Sequence, residues 1–141
     1  LKRYYSKRPK LAEVFEELHK KGIKIAVFSD YPRVKQRIRA LDFSDETISQ
    51  ISGIYSAEDF GSQKPAIRPF LEIAQHLEVE PEKCLVIGDR DDTDGDGARH
   101  TNMEFIQIET HKTKIKEANH PVWSWEDFAT WVLDGMEPLE D

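Results

Sequence analysis

The sequence predicts an α/β protein with a parallel sheet and flanking helices, and three observations carry that expectation. Short apolar runs (Ile23–Phe28, Cys84–Ile87, Phe105–Ile108) alternate with stretches of helical periodicity, which calls for a parallel sheet with right-handed crossovers. The run Cys84-Leu85-Val86-Ile87 then breaks at Gly88 into a loop carrying Asp89, Asp91, Asp92, Asp94 and Asp96. Finally, a hydroxyl (Ser29), an ammonium (Lys64) and carboxylates (Asp89, Asp94) stand in chain order at successive strand ends and loops.

From Pro9 a helix is expected, because Leu11, Val14, Phe15 and Leu18 recur at helical spacing. Lys20 and Lys21 suit its C-terminal dipole and Gly22 its stop. Ile23–Phe28 follows as a buried strand ending at Ser29-Asp30-Tyr31-Pro32, where Pro32 opens a helix over Arg33–Leu41. Ser52–Ser56 is a weaker strand, Gly61–Pro65 a loop, and Pro69–Leu77 a helix through Phe70, Leu71, Ile73, Ala74 and Leu77. Cys84–Ile87 reads as a buried strand because it is an apolar run closed by glycine. A short helix over Asp94–His100 and a strand over Phe105–Ile108 come next. Lys112–Lys116 is a polar loop, and Trp125–Leu133 is a terminal helix with Ser124 as its N-cap. Trp123, Trp125 and Trp131 are expected on an aromatic helix face packed against the sheet, since no basic groove accompanies them as a base-stacking platform requires.

At 141 residues, one domain with a real core is expected. A net charge of −7 argues against a nucleic-acid surface, which needs a basic face. No apolar stretch approaches the roughly 18 residues that cross a bilayer. A single cysteine, Cys84, excludes an intrachain disulfide framework and a thiolate metal cluster, and a cytoplasmic location is the default expectation. The basic stretch Leu1–Lys10 reads as a solvated linker, with residues 1–8 leading from an upstream segment. The chain opens on Leu1 rather than Met and carries no signal peptide, so it reads as a portion of something longer.

Groups just past the carboxyl end of a buried strand rim the crevice of an open α/β sheet. Carboxylates crowded on one such loop repel each other, and a hard cation relieves that repulsion. With Ser29 and Lys64 they form the kit of a phosphate site. A hydroxyl and backbone N–H groups hold phosphoryl oxygens, an ammonium neutralises charge, and carboxylates hold Mg²⁺ against both.

Three segments, VFSD (Val27–Asp30), GSQKP (Gly61–Pro65) and VIGDRDDTDGDGA (Val86–Ala98), resemble the second, third and fourth motifs of the haloacid dehalogenase-like hydrolases. The resemblance covers nearly all of Pro9–Ile108 in the family's order. The fourth motif is the most specific, with GDxxxxD met by Gly88-Asp89 and Asp94 and followed by Gly97-Ala98. It implies a Rossmann-like core, and a site in which Ser29 and the adjoining Asp30 bind the transferring phosphoryl group. Lys64 would steady the nucleophile and the phosphate, and Asp89 with Asp94 would hold Mg²⁺. The activity implied is hydrolysis of a small phosphate ester through an Asp nucleophile. The family's first motif, DxDx[TV] at the end of a central strand, precedes these motifs and is not found before Pro9. The resemblance therefore implies a carboxyl-terminal portion of a core domain, lacking its first strand and cap. Alone, such a portion is expected to fold poorly and to be inactive until joined by the upstream segment.

Rival readings use the same residues. Asp89-Arg90-Asp91-Asp92-Thr93 fits DxDxT and would make a permuted enzyme, but its position behind Lys64 favours the fourth motif. Asp92–Gly97 opens like an EF-hand loop, yet the twelfth position is Met103 and the preceding residues read as a strand. A receiver-type phosphoacceptor domain needs its acidic pair early, which the order Ser29, Lys64, Asp89 rejects. A catalytically inactive binding or regulatory domain of the same fold is the alternative from another class.

Overall fold

The apolar stripe of Leu11, Val14, Phe15 and Leu18 forms helix α1 (Leu11–Lys20), which buries Val14. The structure, a computed structural model, describes residues 10–29, 45–56, 68–109 and 120–136. Pro9, the basic amino-terminal stretch, the Arg33–Leu41 helix and the loops at Gly61–Pro65 and Lys112–Lys116 lie outside the described residues. The chain divides into two units, Leu1–Ser56 with Glu126–Asp141, and Ala57–Trp125.

In the first unit, strand β1 (Ala26–Ser29) pairs in parallel with β2 (Gly53–Ser56), Ala26 opposite Gly53 and Ser29 opposite Ser56. β1 starts three residues later than the apolar run beginning at Ile23 suggests. The cause is the way α1 ends. Gly22 is left-handed at φ 74°, its N–H bonds the His19 carbonyl at 3.0 Å, and the Ile23 N–H bonds that of Leu18 at 3.0 Å. This is a Schellman closure, and it takes the backbone of Ile23 out of the ladder. A helix not anticipated from the sequence, α2 (Asp45–Ser49), buries Thr47 ahead of β2. The same unit holds most of the terminal helix, which runs over Trp125–Leu133 and buries Phe128, Ala129 and Val132. Beyond its end, the Gly135 carbonyl accepts from Lys21 Nζ at 3.1 Å.

The second unit begins with α3 (Arg68–His76), which buries Pro69, Phe70, Ile73 and Ala74. A 3₁₀ turn at Pro81–Lys83 precedes β3 (Leu85–Gly88). Cys84 serves both elements: its N–H closes the turn on the Pro81 carbonyl at 2.9 Å and its carbonyl accepts the Glu104 N–H at 3.0 Å. Beyond β3 the chain makes a wide π-helical turn over Asp91–Gly95 and then a regular helix, α4 (Asp96–Thr101). The helix expected from Asp94 thus starts two residues later, because the Gly95 N–H reaches back to the Arg90 carbonyl at 3.2 Å, an i to i−5 bond. Asn102, left-handed at φ 62°, closes α4.

From that closure the chain enters β4 (Glu104–Ile108), parallel to β3 with Gly88 opposite Gln107. The third strand, β5 (Val122–Trp123), lies parallel to β4 with Gln107 opposite Val122. Trp123 therefore belongs to a strand, while Trp125 and Trp131 belong to the terminal helix, numbered α5. β4 is the buried strand of this sheet, with Phe105, Ile106, Gln107 and Ile108 all buried. β3 departs from expectation: Leu85 is 37% exposed and Val86, Ile87 and Gly88 are only half-buried. As an edge of the order β3-β4-β5, it has a ladder partner on one side only among the described residues.

The join of α3 and α4 has no room to spare. A methyl at Gly97 would overlap the ring of Phe70, itself buried. Alanine in a helix is ordinarily worth up to about 1 kcal/mol over glycine, but overpacking a filled core costs about 1–3 kcal/mol. Gly97→Ala should therefore destabilise the protein by up to roughly 2 kcal/mol, read as a lower urea midpoint at unchanged slope. Adding Phe70→Leu should recover part of the loss. Cys84 yields a second expectation. Burial, and next the negative charge of Glu82, push its thiol above the ordinary range, and Sγ donates to the Glu80 carbonyl at 3.5 Å. The neutral thiol is favoured by folding, so stability should fall as pH rises above the unfolded thiol's pKa. In alkylation with iodoacetamide, the folded protein should reach its half-maximal rate at higher pH than the same protein in urea.

Candidate active site at the carboxyl end of β3

The acidic loop starts where β3 stops. Asp89 follows Gly88 directly, and the wide turn folds Asp94 back so that its carboxylate occupies the space a side chain at Gly88 would need. Glycine at position 88 thus lets two carboxylates share one strand end. Asp89 is exposed and Asp94 half-buried.

The other three aspartates are engaged by arginines. Arg90 grips Asp92 with Nε to Oδ1 at 3.2 Å and Nη2 to Oδ2 at 2.9 Å. Arg99, on α4, donates to Asp91 Oδ1 at 2.8 Å, to the Asp91 carbonyl at 3.3 Å and to Asp96 Oδ1 at 2.6 Å. The bond to Asp91, and then that to Asp96, holds the Arg99 guanidinium above its ordinary pKa, so it stays charged at any working pH. Arg99 and both of its carboxylates are 45% exposed, so each pair contributes no more than about 1 kcal/mol. Their effect is to fix which way the carboxylates point. Arg90 and Arg99 thus also offset the like-charge repulsion that a hard cation is expected to relieve. The Asp89 carboxylate enters no ion pair among the described residues.

Beneath the turn lies a polar link the sequence reading missed. Gln107, only 5% exposed, donates from Nε2 to the Asp89 carbonyl at 3.2 Å. Its Oε1 accepts from His120 Nε2 at 2.7 Å, and His120 Nδ1 lies 3.7 Å from Asp91 Oδ1. A glutamine inside the apolar run Phe105–Ile108 is a visible sequence signal, since a buried amide has to find partners. His120 carries none.

Of the residues named from the sequence, Asp89 and Asp94 stand at one strand end, Asp89 following Gly88 and the Asp94 carboxylate packing against Gly88. Ser29 is the last residue of β1 and lies in the other unit, at the carboxyl end of its strand. Asp30 and Lys64 lie outside the described residues. Among the described residues no group of three or more His, Cys, Asp or Glu side chains is arranged to hold a metal. Two carboxylates and no nitrogen or sulfur donor suit Mg²⁺, which keeps several waters and takes one or two carboxylates plus substrate phosphate. They do not suit an all-protein Ca²⁺ cage, and the EF-hand reading fails further because Asp92 is bound to Arg90, Asp96 begins α4 and a strand precedes the loop. No helix among the described residues is long and apolar enough to cross a membrane.

The architecture recurs in solved structures. A HAD phosphatase from Thermococcus onnurineus superposes with a TM-score of 0.75 over 94% of this chain and 60% of its own, at 19% identity. That likeness defines the fold, an α/β Rossmann-like core. The sequence itself goes further: residues 2–101 match the haloacid dehalogenase-like hydrolases, and the chain belongs to that family. Curated relatives include a phosphoglycolate phosphatase of Aquifex aeolicus, 33% identical over 62% of this chain and 40% of its own length. Another is a glyceraldehyde 3-phosphate phosphatase of Methanopyrus kandleri, 28% identical over 98% of this chain and 57% of its own. This chain thus spans about half the length of the relatives it matches.

Proposed function

We propose that the protein is a Mg²⁺-dependent phosphohydrolase acting on a small phosphate monoester. The observation that carries this reading is at the end of β3: Arg90 and Arg99 engage Asp91, Asp92 and Asp96, and the Asp94 carboxylate packs against Gly88, the residue before Asp89. Both curated relatives are named for small phosphorylated compounds, which supports that substrate class.

In this reading Asp89 and Asp94 hold Mg²⁺, which when bound offsets the charge of the phosphoryl oxygens. The Ser29 hydroxyl and the neighbouring Asp30 segment hold the phosphoryl group. The Lys64 ammonium keeps the nucleophilic carboxylate and the phosphate together against their repulsion. An Asp of an upstream segment attacks phosphorus, the bond from phosphorus to the ester oxygen breaks, and the leaving oxygen takes a proton from the second Asp of that segment's DxDx[TV] motif, which later accepts one from the attacking water. Water then cleaves the aspartyl phosphate to return the carboxylate and inorganic phosphate. The same segment supplies a strand beside β3, which has a ladder partner on one side only among the described residues. The described chain is then the carboxyl-terminal portion of one core domain. Its substrate is soluble and small, nucleic acid and membrane have no part, and the single free thiol, Cys84, fits a cytoplasmic location.

In the complete protein, Asp89→Asn should abolish most Mg²⁺-dependent phosphatase activity, whereas Asp92→Asn, which weakens the exposed pair with Arg90, should leave it largely intact. Equal losses would refute the assignment. Lys64→Met keeps the apolar stem and removes the charge. Loss of a charge-assisted contact costs about 1.5–3 kcal/mol, or roughly one to two decades in kcat/KM. Unchanged kcat/KM would return Lys64 to the ordinary surface lysines.

A further inference from the structure

The buried face of β4 under the acidic turn carries Phe105 and Gln107, two residues apart and therefore on the same side of the strand. Continuing the register of β4 and β5 brings His120 beside Phe105, and their rings lie 5.2 Å apart. The Asp89 carbonyl can only accept, so Gln107 must offer it the amide N–H. Its Oε1 then faces His120, which settles the imidazole as well: Nε2 carries the proton and donates at 2.7 Å. Nδ1 is left facing Asp91, whose carboxylate is held by Arg99. One chain of polar contacts thus runs from the backbone of Asp89 through Gln107 and His120 to Asp91 at the start of the turn.

We propose that Gln107 and His120 are positioning residues that fix the backbone of Asp89 and so set the affinity of the Asp89–Asp94 pair for Mg²⁺. The inference rests on reading those two carboxylates as metal ligands. Neither Gln107 nor His120 is a ligand itself. Gln107 holds the peptide group from which the Asp89 side chain springs, and His120 holds Gln107 in the one amide orientation that can do so. Groups of this kind behind a metal site typically control affinity by about 10–100-fold.

The test is calorimetric titration of the complete protein with MgCl₂ in the absence of substrate, together with the Mg²⁺ activation curve for hydrolysis of a generic phosphate ester. His120→Phe keeps a ring against Phe105 and removes the donor. It should raise the Mg²⁺ dissociation constant by about 10-fold or more while kcat at saturating Mg²⁺ stays close to that of the unaltered protein. His120→Gln, which restores an N–H donor, should recover most of the affinity. Gln107→Met removes both amide contacts at similar volume and should weaken binding at least as much as His120→Phe, so it carries the comparison if that variant does not fold. Unchanged Mg²⁺ affinity in either His120→Phe or Gln107→Met overturns the proposal, as does His120→Gln binding no better than His120→Phe. Failure of the underlying reading looks different: the unaltered protein would not bind Mg²⁺, or Asp89→Asn would bind it equally well.

Discussion

Like-charge repulsion among five aspartates within eight residues is the constraint around which the second unit is arranged. Left alone, that density of carboxylate would push the turn open into solvent. Arg90 and Arg99 hold it closed, one by gripping a neighbour two residues on and the other by reaching from α4 to both ends of the turn. The bonds are exposed and individually weak, but together they orient Asp91, Asp92 and Asp96, while the Asp94 carboxylate packs against Gly88 beside Asp89 at the strand end.

The glycines of the same stretch act by leaving space. A side chain at Gly88 would collide with Asp94, one at Gly95 with Asp91, and one at Gly97 with Phe70. Each vacancy is filled by a different neighbour. The spacing of aspartate and glycine in this loop is therefore one pattern: each glycine marks where another residue has to pass close to the backbone. The same packing seats α4 on α3 and keeps the turn down on the face of β4 where Gln107 waits for the Asp89 carbonyl.

Much of this order was legible in the residues. The apolar stripes of α1, α3 and α5 and the apolar runs of β1, β3 and β4 all reappear, within one to three residues of where their patterns put them. The displaced boundaries have backbone causes: a Schellman closure that uses Ile23, and an i to i−5 bond that delays α4. Two short elements escaped notice. α2 and β5 have only five and two residues, too few for a period to show. The burial of β3 was overstated because an apolar run reports what a strand is able to bury, not how many neighbours it has.

The sequence by itself determined the family and the order of its motifs, and it determined which strand would end in the acidic loop. These are local properties, written in the succession of apolar, glycine and aspartate residues. Only the tertiary structure decided which carboxylates the arginines engage, because that depends on Arg99 approaching Asp91 from another element. It alone brought His120 to Gln107, since they stand thirteen positions apart in the chain and no short-range pattern records which strands lie side by side. Charge sorting and polar burial depend on distances in space, and a linear pattern fixes those only within a single helix or strand.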